Sequence, residues 1–197
     1  KGDIEIFRVQ QLADNLVHRG IERIHAVAAL ANFGDAKKCL LQSFAALAHG
    51  DRGLVRLLQR HQEFRNLFYH RTGLAGRLWQ PLCRPLPTLY ITTVDIGPGL
   101  YIQHGFATII SARRIGRDCW INQQVTIGFR DDSNAPSLGD GVTVNAGAKV
   151  IGGLHVGDRS KIGANAVVVK DVPPDVTVVG VPARIVRRNG LRVDEAL

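Results

Sequence analysis

Val144-Asn-Ala-Gly-Ala-Lys149, Val150-Ile-Gly-Gly-Leu-His155, Val156-Gly-Asp-Arg-Ser-Lys161 and Ile162-Gly-Ala-Asn-Ala-Val167 return an aliphatic residue every six positions. The phase runs backward through Leu138 and, past an irregular stretch, through Ile127, Ile121, Ile115, Ile102 and Ile96. A period of six is the signature of a parallel β-helix. Each hexapeptide makes one short strand and one corner, three make a triangular coil of about 18 residues, and stacked coils bury a column of aliphatic side chains.

The fifth position of each hexapeptide must then be small or apolar, and it reads Leu100, Phe106, Cys119, Val125, Val142, Ala148, Leu154, Ser160, Ala166 and Val172. Glycine follows the aliphatic residue at positions 97, 116, 128, 139, 157 and 163, where it is expected to relieve the corners. Between Ile127 and Leu138 the spacing lengthens, so residues 129–137, rich in Asp, Ser, Asn and Pro, leave the coil as a loop. Solenoids often carry function on such excursions.

Before the repeats lies a region expected to form four helices: from Asp3 to about His18, from Ile21 to Asn32, from Asp35 through Ala48, and a last one capped by Asp51. The last carries Leu54, Leu57, Leu58, Phe64, Leu67 and Phe68 on one face. Pro81, Pro85 and Pro87 bar a continuous helix and mark the linker. The expected organisation is a mainly β protein: helical domain and linker over 1–87, β-helix over 88–186, and a mobile basic tail over 187–197.

With 197 residues, 45% of them hydrophobic, both parts have enough apolar side chains for a core. No stretch reaches the ~18 uninterrupted apolar residues of a membrane span, and the first residues show no apolar signal region, so the expected location is the cytoplasm. Cys39, Cys83 and Cys119 are too far apart for a metal-ligand pair, and no metal is expected. A formal charge of +8 favours an anionic partner. Nucleic acid is not expected, because the basic residues are scattered and no binding motif is present.

His104 and Gln123 are each third in their hexapeptides, as are Ala146 and Ala164, so the four are expected to stack in one column. Such a column suits a groove in which an extended ligand meets bare backbone while its reactive end nears an imidazole.

Gln103-His104-Gly105, Ile121-Asn-Gln-Gln-Val-Thr-Ile-Gly128, Asn145-Ala-Gly-Ala-Lys149, Lys161-Ile-Gly-Ala164 and Gly180-Val-Pro-Ala-Arg-Ile185 resemble the serine acetyltransferase branch of the hexapeptide acyltransferases, over about half of the chain. The resemblance implies left-handed coiling, a homotrimer that can pair into a dimer of trimers, and acetyl-CoA as cosubstrate. It implies that His104 is the general base that deprotonates an acceptor hydroxyl, work suited to a pKa near neutrality. It places Gly128, Ala146 and Ala164 along the CoA groove and leaves Lys170 as a candidate for its phosphates. Gln123 or Gln124 would orient the imidazole or bind acceptor, beside Gln103.

The likeness has departures. Gln103 stands where the family has Asp, Asn134-Ala135 stands where it has an Arg-His pair before Pro, and Asp95 is too near in sequence to orient His104 from the family's position. Glu63-Phe-Arg-Asn-Leu-Phe-Tyr-His70 and Gln103-His-Gly-Phe-Ala-Thr-Ile-Ile110 look like acetyltransferases of surface-polysaccharide synthesis. The expected acceptor is therefore a saccharide hydroxyl. The alternatives are a small molecule, L-serine, in cysteine biosynthesis, and a noncatalytic β-helix scaffold.

Overall fold

A computed structural model describes residues 58–77, 80–131 and 134–197. The chain divides into two compact units between Leu86 and Pro87. The first three expected helices lie outside the described residues.

In the first unit, residues 58–60 are helical, His61 is extended (φ −118°, ψ 101°), and α1 spans Gln62–Thr72. A short α2 follows at Leu74–Arg77. The expected unbroken fourth helix is thus interrupted at His61. The break frees carbonyls at its end, and the Arg65 guanidinium donates to those of Leu58 and Gln59 and, at 2.7 Å, Arg84. Phe64, Leu67, Phe68 and Tyr69 of α1 are buried. Asn66 ties down the linker, donating to the Leu86 carbonyl at 2.9 Å and accepting the Leu86 N–H at 2.7 Å.

The second unit is a β-solenoid of about five turns. Its first coil holds β1 (Leu89–Ile91), β2 (Asp95–Ile96) and β3 (Tyr101–Ile102). The second holds β4 (Thr108–Ile110), β5 (Arg114–Ile115) and β6 (Trp120–Ile121). The third holds β7 (Thr126–Gly128), β8 (Ser137–Leu138) and β9 (Thr143–Val144). The fourth holds β10 (Lys149–Ile151), β11 (His155–Val156) and β12 (Lys161–Ile162). The last has β13 (Val167–Val168), a bridge at Val172, and β14 (Val176–Val179). First, second and third strands each pair in parallel with their equivalents in the next coil, giving three sheets, here A, B and C.

The inward columns are Ile110, Ile127, Val150 and Val168 in sheet A; Ile96, Ile115, Leu138, Val156 and Val172 in sheet B; and Ile102, Ile121, Val144, Ile162 and Val178 in sheet C, all buried. Cys119 is fully buried at a fifth position, and burial pushes its thiol up to about 12, so it packs as a small apolar group.

The corner glycines owe their identity to close approach. A Cβ on Gly116 would stand 2.5 Å from the Gly139 carbonyl carbon and oxygen, and one on Gly157 would stand 2.4 Å from the Pro174 nitrogen. The left-handed corner positions fall elsewhere, on Asp118, Gln124, Arg159, Asn165 and Asp175 among others. At the corner between sheets B and C the carboxylates also tie coil to coil: Asp140 Oδ1 accepts from Arg117 N and Asp158 Oδ1 from Asp140 N, both at 2.8 Å.

The basic tail expected to be mobile is instead folded. β15 (Arg184–Arg188) returns antiparallel to β14, and β16 (Leu191–Ala196) antiparallel to β15. Opposite charges align across this hairpin, Arg184 with Asp194 at 2.9 Å and Arg188 with Glu195 at 2.6 Å. The alternation of the last residues is the strand signal that its basic composition obscures.

Candidate active site

At a regular corner the ladder of backbone hydrogen bonds runs from coil to coil with a fixed offset. Gly147 N donates to the Gln123 carbonyl at 3.0 Å and Asn165 N to the Ala146 carbonyl at 2.9 Å. With the pairings Ile121↔Val144 and Val144↔Ile162, these bonds set Gln123, Ala146 and Ala164 in one column between sheets C and A.

His104 departs from that pattern. The same offset would give Gln124 N the His104 carbonyl, but its acceptor is the Phe106 carbonyl at 2.9 Å. The chain here folds back on itself, Gly105 N donating to the Gln103 carbonyl at 2.8 Å. His104 (φ 63°), Gly105 (φ 62°) and Ala107 (φ 51°) are all left-handed. The expectation that His104 stacks on Gln123 is therefore corrected: His104 stands on a bulge just outside the column. The physical reason is the extra length of its corner, where Ile102 to Ile110 takes eight positions against the six from Ile121 to Ile127. The expected slip between Ala107 and Ile115 thus begins earlier. A left-handed histidine is uncommon, and here it belongs to the tight turn that the Gly105 N–H closes onto the Gln103 carbonyl.

The imidazole is exposed. No hydrogen bond or ion pair joins His104 to any described residue. Asp95 is on sheet B, 3.5 Å from Arg114. Gln103 is half-buried and its N–H donates to the Ile121 carbonyl at 2.9 Å. Gln124 is exposed and left-handed (φ 59°), and Lys149 Nζ fixes its carbonyl at 2.6 Å. Beneath the column runs an amide chain that the hexapeptide pattern does not single out. Trp120 Nε1 donates to Asn122 Oδ1 at 3.0 Å, Asn122 Nδ2 to Asn145 Oδ1 at 3.3 Å, and Asn145 Nδ2 to the Ile162 carbonyl at 2.8 Å.

Gly128 and Lys170 lie elsewhere. Gly128 ends β7 beside Ile151, at the far edge of sheet A. A Cβ there would meet only Thr126 Cγ2, at 3.9 Å, so the solenoid does not require the missing side chain. At the same edge a cavity of about 630 Å³ is lined by Arg130, Asp131, Asn134, Gly152, Lys170 and Asp171, among others. Lys170 Nζ donates to the Leu197 carbonyl at 2.9 Å and also lines a smaller cavity of about 310 Å³ against the C-terminal hairpin. One chain therefore carries an imidazole and a small-residue column at one edge of sheet A, and a polar cavity at the other.

The bacterial transferase hexapeptide (six repeats) family matches residues 135–170. The chain is 40% identical to serine acetyltransferase of Synechococcus elongatus over 133 residues, 65% of this chain and 54% of that one. It is 40% identical to serine acetyltransferase of Mycobacterium tuberculosis over 132 residues, 59% of this chain and 58% of that one. This chain is a hexapeptide-repeat protein whose repeats resemble those of serine acetyltransferases.

Its left-handed β-helix also matches solved structures. The serine acetyltransferase of Neisseria gonorrhoeae superposes with a TM-score of 0.55 at 28% identity, over 80% of this chain and 66% of that one. The Brucella abortus enzyme gives 0.53 at 29%, over 66% and 59%. The chain spans a little over half the length of the curated relatives it matches. Among the described residues no helix is long and apolar enough to cross a membrane.

Proposed function

We propose that this chain is an acetyl-CoA-dependent O-acetyltransferase with His104 as general base and L-serine as its first candidate acceptor. The likeness of the repeats to enzymes named serine acetyltransferase, at 40% identity, carries the reading. The comparisons thereby move the preferred acceptor from the saccharide toward serine.

In the proposed reaction the neutral imidazole takes the proton of the acceptor hydroxyl as its oxygen attacks the thioester carbonyl. The carbon–sulfur bond then breaks, and CoA leaves as a thiolate that takes the proton back from the imidazolium. The acetyl group passes directly to the acceptor. Exposure of His104 on its bulge supports this role, since the ring is open to a ligand, and general base catalysis typically contributes ~10²–10⁴-fold. Ala146, Ala164 and Gly128 would leave room for the pantetheine arm, with Gln103, Gln123 or Gln124 placing the acceptor or the ring. Lys170 would face the CoA phosphates once released from the Leu197 carbonyl. A homotrimer, able to pair through the helical units, would bring one chain's His104 to its neighbour's cavity.

A saccharide hydroxyl is the second reading, and Asn134-Ala135 favours it. These residues replace the pair that the resemblance assigns to the amino acid's carboxylate. Asp131, Asn134 and Asp171, with Arg130 and Lys170, give the cavity donors and acceptors of both signs for a polyol's hydroxyls.

Acetyl-CoA-dependent thiol release decides between them, with L-serine beside a panel of sugars and nucleotide sugars. L-serine turnover lost in His104→Ala, with the variant's melting temperature unchanged, is the expected result. Turnover of a sugar alone would establish the second reading, and no turnover with any acceptor would leave a binding scaffold.

A further inference from the structure

Beyond the catalytic edge, the outer face of sheet C carries a row of positive charge. The pairings Lys161↔Thr177, Thr177↔Arg187 and Arg187↔Arg192 set three cations in line across β12, β14, β15 and β16. At strand spacing the row is about 14 Å long. Lys161, Arg187 and Arg192 are exposed. None of the three side chains has a hydrogen-bond or ion-pair partner among the described residues.

Arg187 directly opposite Arg192 costs the hairpin stability, because like charges facing each other across an antiparallel pair repel. The remedy is present one position away, where Asp194 and Glu195 neutralise Arg184 and Arg188. The hairpin thus matches its other arginines and leaves this row unmatched. Its turn, Asn189 (φ 50°) and Gly190 (φ 82°), is the tight two-residue kind, and Leu191, paired with Arg188, turns to the opposite face from Arg187 and Arg192.

We propose that this row is a docking surface for an anionic lipid bilayer. Lys161, Arg187 and Arg192 line neither of the two cavities described above. They sit on an open sheet face, to which a plane of phosphate headgroups is complementary. A flat row of exposed cations about 14 Å long meets such a plane at several headgroups at once, without needing a pocket. Contact is peripheral, driven by charge and screened by salt. The proposal is independent of the acceptor's identity.

The test is sedimentation of the full chain with phosphatidylcholine vesicles with and without phosphatidylglycerol. The wild type is expected to bind only the anionic vesicles and to be released by salt. Lys161→Gln/Arg187→Gln/Arg192→Gln is expected to bind roughly a hundredfold more weakly, at about fivefold per cation. Its melting temperature should hold or rise as repulsion is removed. A charge-matched control, Arg60→Gln/Arg113→Gln/Arg117→Gln, should bind nearly as the wild type does. Equal loss in the control would reduce the effect to net charge and overturn the proposal, as would failure of the wild type to bind. Row-dependent binding to a soluble acidic polysaccharide without vesicle binding would also overturn it, in favour of a glycan surface.

Discussion

At the scale of single residues, Gly116 and Gly128 look alike in the repeat, each following an aliphatic residue, yet their surroundings give them opposite roles. Gly116 has no room, with the neighbouring coil's carbonyl 2.5 Å from where a Cβ would stand. Gly116→Ala should therefore cost about 1–3 kcal/mol, seen as a lower urea midpoint at unchanged slope. Gly128 has room, so Gly128→Ala should unfold at the wild-type midpoint while raising KM for acetyl-CoA roughly tenfold if the arm passes there. A destabilised Gly128→Ala would return that glycine to a packing role, and an unchanged KM would remove it from the groove. The repeat reveals both glycines but not the difference, because the pattern records the side chain's absence and not what lies in its place. His104 is a similar case: its residue type and neighbours single it out, while its displacement depends on a hydrogen bond that slips from its own carbonyl to that of Phe106.

Among elements, the solenoid's strands were legible and its exceptions less so. Six-residue spacing locates inward residues because every coil repeats one geometry, and each interruption marks where a coil must lengthen. The interruption after Gly128 is the largest. Asn122 reaches Asn145, 23 positions on, where the following coil bonds Ser137 to His155 over 18. Removing the five residues 131–135 would restore the regular length and join Arg130 to Pro136, whose place matches Leu154 in the next coil. The deletion should leave thermal unfolding nearly unchanged, since β7 and β8 keep their partners, and should lower kcat/KM for the acceptor about tenfold or more by opening the cavity. Unchanged acceptor kinetics would detach the loop from acceptor binding. The broken helix at His61 and the ordered final hairpin were not legible. Arg65 capping across the break and Arg184–Asp194 pairing across the hairpin are contacts between separate segments, invisible to local periodicity.

For the whole molecule, the separation of His104 from Gly128 and the polar cavity has a direct consequence. They occupy opposite edges of sheet A, a strand's length of about 10 Å apart, and a rigid solenoid cannot fold one edge onto the other. In the proposed homotrimer, a second copy laid edge to edge around a threefold axis would join one chain's imidazole to its neighbour's groove at each interface. Complementation tests this. His104→Ala trimers lack a base at every interface, and Gly128→Trp trimers have a blocked groove at every interface, so each variant alone should be inactive while retaining its fold. After mixing equal amounts through dissociation and reassembly, an interface works when a Gly128→Trp chain supplies the imidazole and a His104→Ala chain the groove. Random assembly into closed rings makes about a quarter of interfaces of this kind, and acetyl transfer should recover to about that fraction of the wild type. A mixture that stays inactive, with mixed trimers verified by mass, would mean that the base and the groove act within one chain, and the division of the site across sheet A would have to be abandoned.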